Sequence, residues 1–315
     1  MIRTILIILL LVVPGPAIFC QRVQWQSFAF TEENDFLNIL QHGIDRYYTQ
    51  GLKFEFTYRV SKRSFFEKLV IPISPSATNV YSISTFQKIY TPGRVDKYFY
   101  AGDHPYGSSL VLSEGLISYD SARQLRLSTR LDAGMIGPAT LGKQTQDFFH
   151  KMIHGDGAVG WETQLRNDLY LNYFVKVEKA ITSPERKFRI EWKAEFNLGT
   201  ALISTVPGLN FEYGTGHDRS KKNAWQIFLN SELRVVAYNA MLQGGVLNQN
   251  FSSALYSQFF LEDIKLLIYS QSMGIRYRHN RLEAMFRQVV LTPEFSGQRA
   301  HSYGTIWVSF PLGRN

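Results

Sequence analysis

In the stretch "LGKQTQDFFHKMIHGDGAVGWETQL" (141–165), Gln146 and His150 stand four residues apart, one turn of helix. An imidazole titrates near neutrality, so His150 can take and return a proton. Gln146 shares its helical face and can orient the imidazole, a water or a substrate. His150 and His154 could also pair on zinc, but no third ligand is evident. A second polar stretch, "TEENDFLNILQHGIDRYYTQG" (31–51), concentrates oxygen donors in Glu32, Glu33, Asn34, Asp35, Asp45 and Thr49. A third, "YTPGRVDKYFYAGDHPYG" (90–107), carries Lys97 and Asp103, and "GWETQL" (160–165) is the fourth. Taken singly, each has a plain reading. His150 is then a solvated residue, the acidic run a solvated turn and Lys97 a loop charge.

The elements between these stretches read as strands. In "GLKFEFTYRV", Leu52, Phe54, Phe56, Tyr58 and Val60 share one face, and Lys53, Glu55, Thr57 and Arg59 the other. In "RKFRIEWKAEFNL", Phe188, Ile190, Trp192, Ala194, Phe196 and Leu198 alternate with Lys187, Arg189, Glu191, Lys193, Glu195 and Asn197. "DLYLNYFVKVEK" repeats the pattern with Leu169, Leu171, Tyr173, Val175 and Val177. Period two over such lengths means strands with one apolar and one polar face. Twelve strands are predicted, at 23–32, 51–61, 82–91, 108–119, 122–136, 166–181, 186–202, 205–215, 223–240, 260–277, 281–292 and 301–311. Their length, with whole faces of charge, favours an all-β, twelve-stranded antiparallel outer-membrane barrel with a short helix at its rim. Apolar side chains would face lipid and charged ones the lumen. Tyr47, Tyr48, Tyr58, Tyr170, Trp192 and Trp225 fall where aromatic girdles sit. The helix is expected to lean over the lumen or rim, its Phe148, Phe149, Met152 and Ile153 packing on the rim or meeting acyl chains.

The chain of 315 residues opens with one Arg, an apolar run from Ile5 to Val13, and the breaking Pro14, Gly15 and Pro16. That is a signal peptide over 1–20, with 21–315 as one barrel domain. Cys20 is the only cysteine. Phe19 before it is too bulky for a lipoprotein signal, and the fold does not rely on disulfides. A formal charge of +8 fits an anionic partner, lipid or polysaccharide, or simply scattered surface lysine and arginine. Nucleic acid is not a partner outside the cytoplasm, and the chain is read as a monomer.

The ordered motifs "ENDF", "DRYYTQG", "YTP", "DHPY", "IGPATLGKQTQDFFHKMIHG" and "GWETQL", with "YNAMLQGG" beyond them, resemble the LpxR-type lipid A 3′-O-deacylase family. The resemblance implies an outer-membrane location, a site facing the outer leaflet, and calcium-dependent removal of the 3′ acyloxyacyl chain from lipid A of lipopolysaccharide. Carried over residue by residue, it implies functional roles for Asn34, Asp35, Thr49, Lys97, Gln146 and His150. Where the family usually has "DRPY", this chain has His104. The residues suit that chemistry. His150 would be the general base. Asp35 would give a hard oxygen ligand for calcium, beside the neutral oxygens of Asn34 and Thr49. Lys97 would assist as electrophile. No G-x-S-x-G motif appears, which favours directly activated water. A non-catalytic porin or scaffold, and a serine-dependent outer-membrane phospholipase, are the alternatives.

Overall fold

The computed structural model describes residues 23–40, 46–93, 103–152, 159–182, 187–215, 221–248 and 264–313. Twelve strands close into one antiparallel barrel, each paired with its neighbours in sequence and β1 with β12. They are β1 Val23–Asn34, β2 Tyr47–Val60, β3 Thr78–Thr91, β4 Gly107–Asp120, β5 Leu125–Ile136 and β6 Asp168–Ala180. The second half is β7 Phe188–Gly199, β8 Leu202–Gly214, β9 Asn223–Asn239, β10 Leu267–His279, β11 Leu282–Leu291 and β12 His301–Pro311. Three short helices interrupt them: α1 Phe65–Lys68, α2 Gly142–Met152 and α3 Ala240–Gln243. No helix among the described residues is long and apolar enough to cross a membrane.

Alternation dictates the two faces. Phe54, Phe56, Phe196, Leu198, Ile227 and Ile275 point outward. Leu198 is 68% exposed and Ile227 51%. The intervening residues fill the lumen with ion pairs. Arg130 meets Asp132 at 2.6 Å, Lys176 meets Glu178 at 2.9 Å, and Arg287 meets Glu33 at 2.8 Å. Lys193 pairs with Glu232 across two strands. Charge inside a closed wall is tolerated only when paired like this, because an unpaired ion away from bulk water costs several kcal/mol (~). A cavity of about 180 Å³ remains between Glu33, Lys53, Lys88 and Arg130.

Long connections gather at one end, here the loop end, which caps the lumen. Ile136, Leu165, Ala201, Ala240 and Met241 pack into one buried cluster there. Tyr47, Leu242 and Phe295 form a second. His104 completes the cap, its ring stacked on Tyr90 with centroids 5.3 Å apart. Its Nδ1 bonds the Pro105 carbonyl at 2.6 Å, and burial pushes the imidazole down to about 4, so it is neutral at ordinary pH.

Connections at the opposite, turn end are short, except residues 61–77 between β2 and β3. This segment folds back along the outside of the wall. Register places Tyr58 opposite Tyr81 and Tyr81 opposite Leu116, on the outward side shared with Phe56. Val70, fully buried, packs on all three.

Three expectations need correction. Of the six girdle aromatics, only Trp192 and Trp225 are exposed outward, at 38% and 40%. Tyr48 bonds the luminal Glu33, Tyr170 meets the luminal Phe86, Tyr47 lies in the cap, and Tyr58 is covered by Val70. β2 starts at Tyr47 and so contains Thr49. β10 starts at Leu267, because the preceding chain turns inward: Ile264 pairs with Phe295 in the cap and the Lys265 N–H bonds the Glu294 carbonyl. Residues 260–263 lie outside the described residues.

Candidate active site

The described motif residues sit at the loop end. Asn34 is the last residue of β1 and Asp35 opens a 3-10 turn, Asp35–Leu37. The Asn34 side chain caps that turn, accepting the Phe36 N–H at 2.8 Å. An Asn at this place is favoured because its short side chain satisfies a donor the turn leaves open. Asp35 is buried, and one carboxylate oxygen accepts the Arg46 N–H at 3.1 Å, joining the two ends of the first loop. The turn is fastened to β12 by Asn38, whose amide donates to the Ser302 carbonyl at 3.1 Å.

Thr49 occupies a bulge of β2, between Tyr48 and Gln50 in the register with β3. A bulge adds one residue and re-aims its side chain. The Thr49 hydroxyl lies 2.7 Å from that of Thr91 at the end of β3, and both are buried. Beside it, Tyr48 crosses the backbone of Gly51, where any β-carbon would lie 2.1 Å from the phenol oxygen. Tyr48 thereby reaches Glu33 at 2.5 Å and leaves the outer side of the wall to Thr49.

Helix α2 carries Gln146 and His150, and the wall decides where it lies. Ile89 of β3 and Ser108 of β4 are register partners on the outward face. Ile89 is buried there against Tyr106 and Trp161. Gln87, on the same face of β3, donates to the Thr140 carbonyl at 2.6 Å, and the Ser108 and Thr140 hydroxyls lie 2.5 Å apart. Gly142, the first residue of α2, rests on Ser108. A β-carbon there would come within 2.2 Å of its hydroxyl and 3.2 Å of the Trp161 ring. The helix therefore lies at the rim, on the outside of β3 and β4; of the two placements the sequence left open, lumen or rim, it takes the rim.

Gln146 is fully buried between helix and wall, and the Trp161 indole N–H donates to its Oε1 at 2.7 Å. That bond fixes which way the amide faces. His150 follows one turn later, half-buried. On its outer side α2 presents Phe148 and Met152, and the first loop presents Phe36, Ile39 and Leu40, all exposed apolar side chains. Lys143 and Asp147 pair at 2.7 Å along the helix surface.

Strand register sets the spacing of the two halves. Asn34 pairs with Gln50, Gln50 with Ile89, and Ile89 with Ser108 beneath α2. Three strand spacings of about 4.8 Å separate Asn34 from the helix seat. Asn34 and the first residue of α2, more than a hundred residues apart in sequence, thus share one end and one sector of the barrel. Lys97, Asp45 and His154 lie outside the described residues.

The donors on the β1–β2 side are all oxygen: the Asp35 carboxylate, the Thr49 hydroxyl, and Glu32. Glu32 Oε1 accepts from Asn34 and Gln50 at 3.3 Å each, while Oε2 is buried and bonded to no described residue. An idle buried carboxylate oxygen, on the strand end that leads into Asp35, is the kind of ligand a hard cation takes, with water completing the shell. No group of three or more His, Cys, Asp or Glu gathers among the described residues. Glu32 was part of the acidic run, but sequence gave no reason to rank it. Trp161 was visible only as the tryptophan of "GWETQL".

A closed antiparallel barrel of this kind, lined with charge and banded with apolar side chains, defines the outer-membrane β-barrel class. The family whose profile matches residues 5–312 is described as outer membrane protein LpxR, and the chain belongs to that family. It resides in the outer membrane. The solved structure of LpxR from Salmonella typhimurium is similar, with a TM-score of 0.70 at 20% identity, over 91% of this chain and 100% of that one. The β domain of the Bordetella autotransporter BrkA scores 0.39 at 8% identity, over 92% of this chain and 98% of that one. No curated protein matches.

Proposed function

We propose that this protein spans the outer membrane, loop end outward, and hydrolyses the ester holding the 3′ acyloxyacyl chain of lipid A. The observation that carries the reading is the seat of α2. It holds Gln146 and His150 against the outside of β3 and β4, where the outer leaflet would lie, and not inside the lumen. A lipid substrate reaches such a site laterally, and Phe36, Ile39, Leu40, Phe148 and Met152 give its acyl chains an apolar surface to lie on.

His150 takes the proton from the attacking water and returns it to the departing sugar oxygen. Gln146, turned by Trp161, presents its amide to the same space and orients the imidazole or the water. Lys97 is assigned to the electrophilic side by the resemblance. Asp35, with Thr49, Asn34 and Glu32 about it, would hold calcium, which when bound supplies positive charge for the developing oxyanion. Residues 1–20 act as the export signal, and the barrel works as a monomer.

The porin reading is disfavoured by the two apolar clusters and the buried His104, which fill space at the loop end that a water-filled pore would leave open. The serine-hydrolase reading is disfavoured at Ser108, the serine beneath α2, whose hydroxyl is engaged with Thr140. Mass spectrometry of lipid A from cells with and without the expressed protein tests the proposal. Loss of the 3′ acyloxyacyl mass only in expressing cells supports it. Unchanged lipid A alongside folded protein in the outer membrane contradicts it.

A further inference from the structure

We infer that residues 61–77 form a strap that binds phospholipid at the inner leaflet of the membrane, on the opposite side from the candidate site. The inference rests on the reading that the barrel spans the membrane.

The strap is built onto the wall, not merely adjacent to it. The Ile71 N–H donates to the Thr129 hydroxyl at 3.0 Å, and that hydroxyl donates to the Ile71 carbonyl at 3.1 Å. The Ile73 N–H donates to Ser118 Oγ at 3.0 Å, and the Tyr173 hydroxyl to the Leu69 carbonyl at 3.2 Å. Ser118, Thr129 and Tyr173 all project outward, toward what would otherwise be hydrocarbon. An unbonded hydroxyl there is costly, so the strap's backbone takes the place of lipid at these positions. Within the strap, Glu67 accepts from both the N–H and the hydroxyl of Ser64, a capping box that fixes α1. Arg63 donates to the carbonyls of Glu67 and Val70, closing the fold from below.

The strap's outer side is built the opposite way. Phe65 is 70% exposed, Phe66 62% and Ile71 58%, in a segment whose Val70 is wholly buried. Two adjacent phenylalanines held outward by a capped turn are a poor surface for water. They continue the band of outward apolar side chains on the strands beside them. Lys62 and Lys68 flank them and are exposed. Apolar side chains edged by lysine are what the boundary between acyl chains and phosphates receives. Height agrees. Thr129 is four residues above the turn end of β5, about 10 Å along the barrel axis for strands tilted by ~40°. Interfacial segments sit about 5–10 Å into that boundary. The lysines then meet phospholipid phosphates, and the phenylalanines meet acyl chains.

Spin labels test this on the full barrel reconstituted in phosphatidylethanolamine–phosphatidylglycerol vesicles. Residues 21–315 hold no cysteine, so labels are placed directly by Phe65→Cys, Phe66→Cys and Ile71→Cys. Phe54→Cys and Phe196→Cys report the outward wall, and Ser121→Cys a turn in water. Heat-modifiable mobility confirms folding of each. The expected result is more collision with oxygen than with a water-soluble nickel chelate at 65, 66 and 71, as at 54 and 196, and the reverse at 121. Strap labels that follow 121 while 54 and 196 report lipid would overturn the inference, leaving the patch to solvent or a protein partner. Labels at 54 and 196 that report water would overturn the spanning reading and the strap with it.

Discussion

Replacing Trp161 with Phe separates the orienting role of Gln146 from its mere presence. The indole N–H donates to Gln146 Oε1 at 2.7 Å, and both side chains are about 1% exposed, so no bulk water replaces the lost donor. A buried acceptor left unsatisfied costs about 1–3 kcal/mol. The amide will turn or shift to avoid that cost. If the fixed orientation serves the transition state, the same energy appears as a fall in kcat of roughly 5- to 150-fold, at ~1.4 kcal/mol per tenfold. KM should change little, because Gly142 on Ser108 and Tyr106 against Ile89 still seat the helix. The double variant Trp161→Phe/Gln146→Ala should be no slower than Gln146→Ala alone, since the indole acts through the amide. Release of the 3′ chain from lipid A in mixed micelles, followed by mass spectrometry and normalised to heat-modifiable protein, measures each. Rate losses that multiply, or a Trp161→Phe enzyme at the wild-type rate, would refute the reasoning.

His150→Ala should lose at least about a hundred- to ten-thousandfold in rate, with mobility shift on heating unchanged, because the residue stands outside the strand ladders; Gln146→Ala should lose less, in the same assay. Calcium chelation should stop turnover without unfolding the barrel, and Asp35→Asn, which keeps an acceptor for the Arg46 N–H, should need on the order of ten- to a hundredfold more calcium for half-maximal rate. His104 is held neutral, with its pKa pushed down to about 4 from the ordinary 6.5. The unfolded loop therefore binds a proton that the folded cap refuses. The cap's stability should be complete above pH ~6.5 and fall as pH drops toward ~4, by up to about 3 kcal/mol. Amide exchange at Asp103–Gly107, corrected for intrinsic rates, should rise over that window, and His104→Phe should lessen the rise.

The strands were legible because lumen and exterior differ sharply in polarity, so Arg189, Glu191, Lys193 and Glu195 could not share a face with Phe196 and Leu198. Alternation reports only which residues share a face. It could not show that Tyr48 bends over Gly51 into the lumen, or that Tyr58 is roofed by Val70, since an aromatic suits a girdle, a cap or a covered wall equally. The strap at 61–77 falls between the predicted strands 51–61 and 82–91 and carries no strand period. Its outward phenylalanines acquire meaning only once Thr129 and Ser118 are seen bonded to its backbone. The helix with Gln146 and His150 was legible from spacing. Its seat on the outer wall was not, because that depends on Gly142 meeting Ser108 and on Ile89 being buried beneath Trp161, contacts set by barrel register. Thr49 read as a loop residue because the bulge that carries it interrupts the alternation.

The central claim is that this barrel cuts the 3′ ester of lipid A with water. The direct measurement is mass spectrometry of both products after purified, folded protein, calcium and lipid A are incubated in isotopically heavy water. Lipid A should emerge lighter by one 3′ acyloxyacyl chain and free of label, with one heavy oxygen in the carboxylate of the released acid. Intact lipid A, loss of a chain from another position, or an acid without label would contradict it.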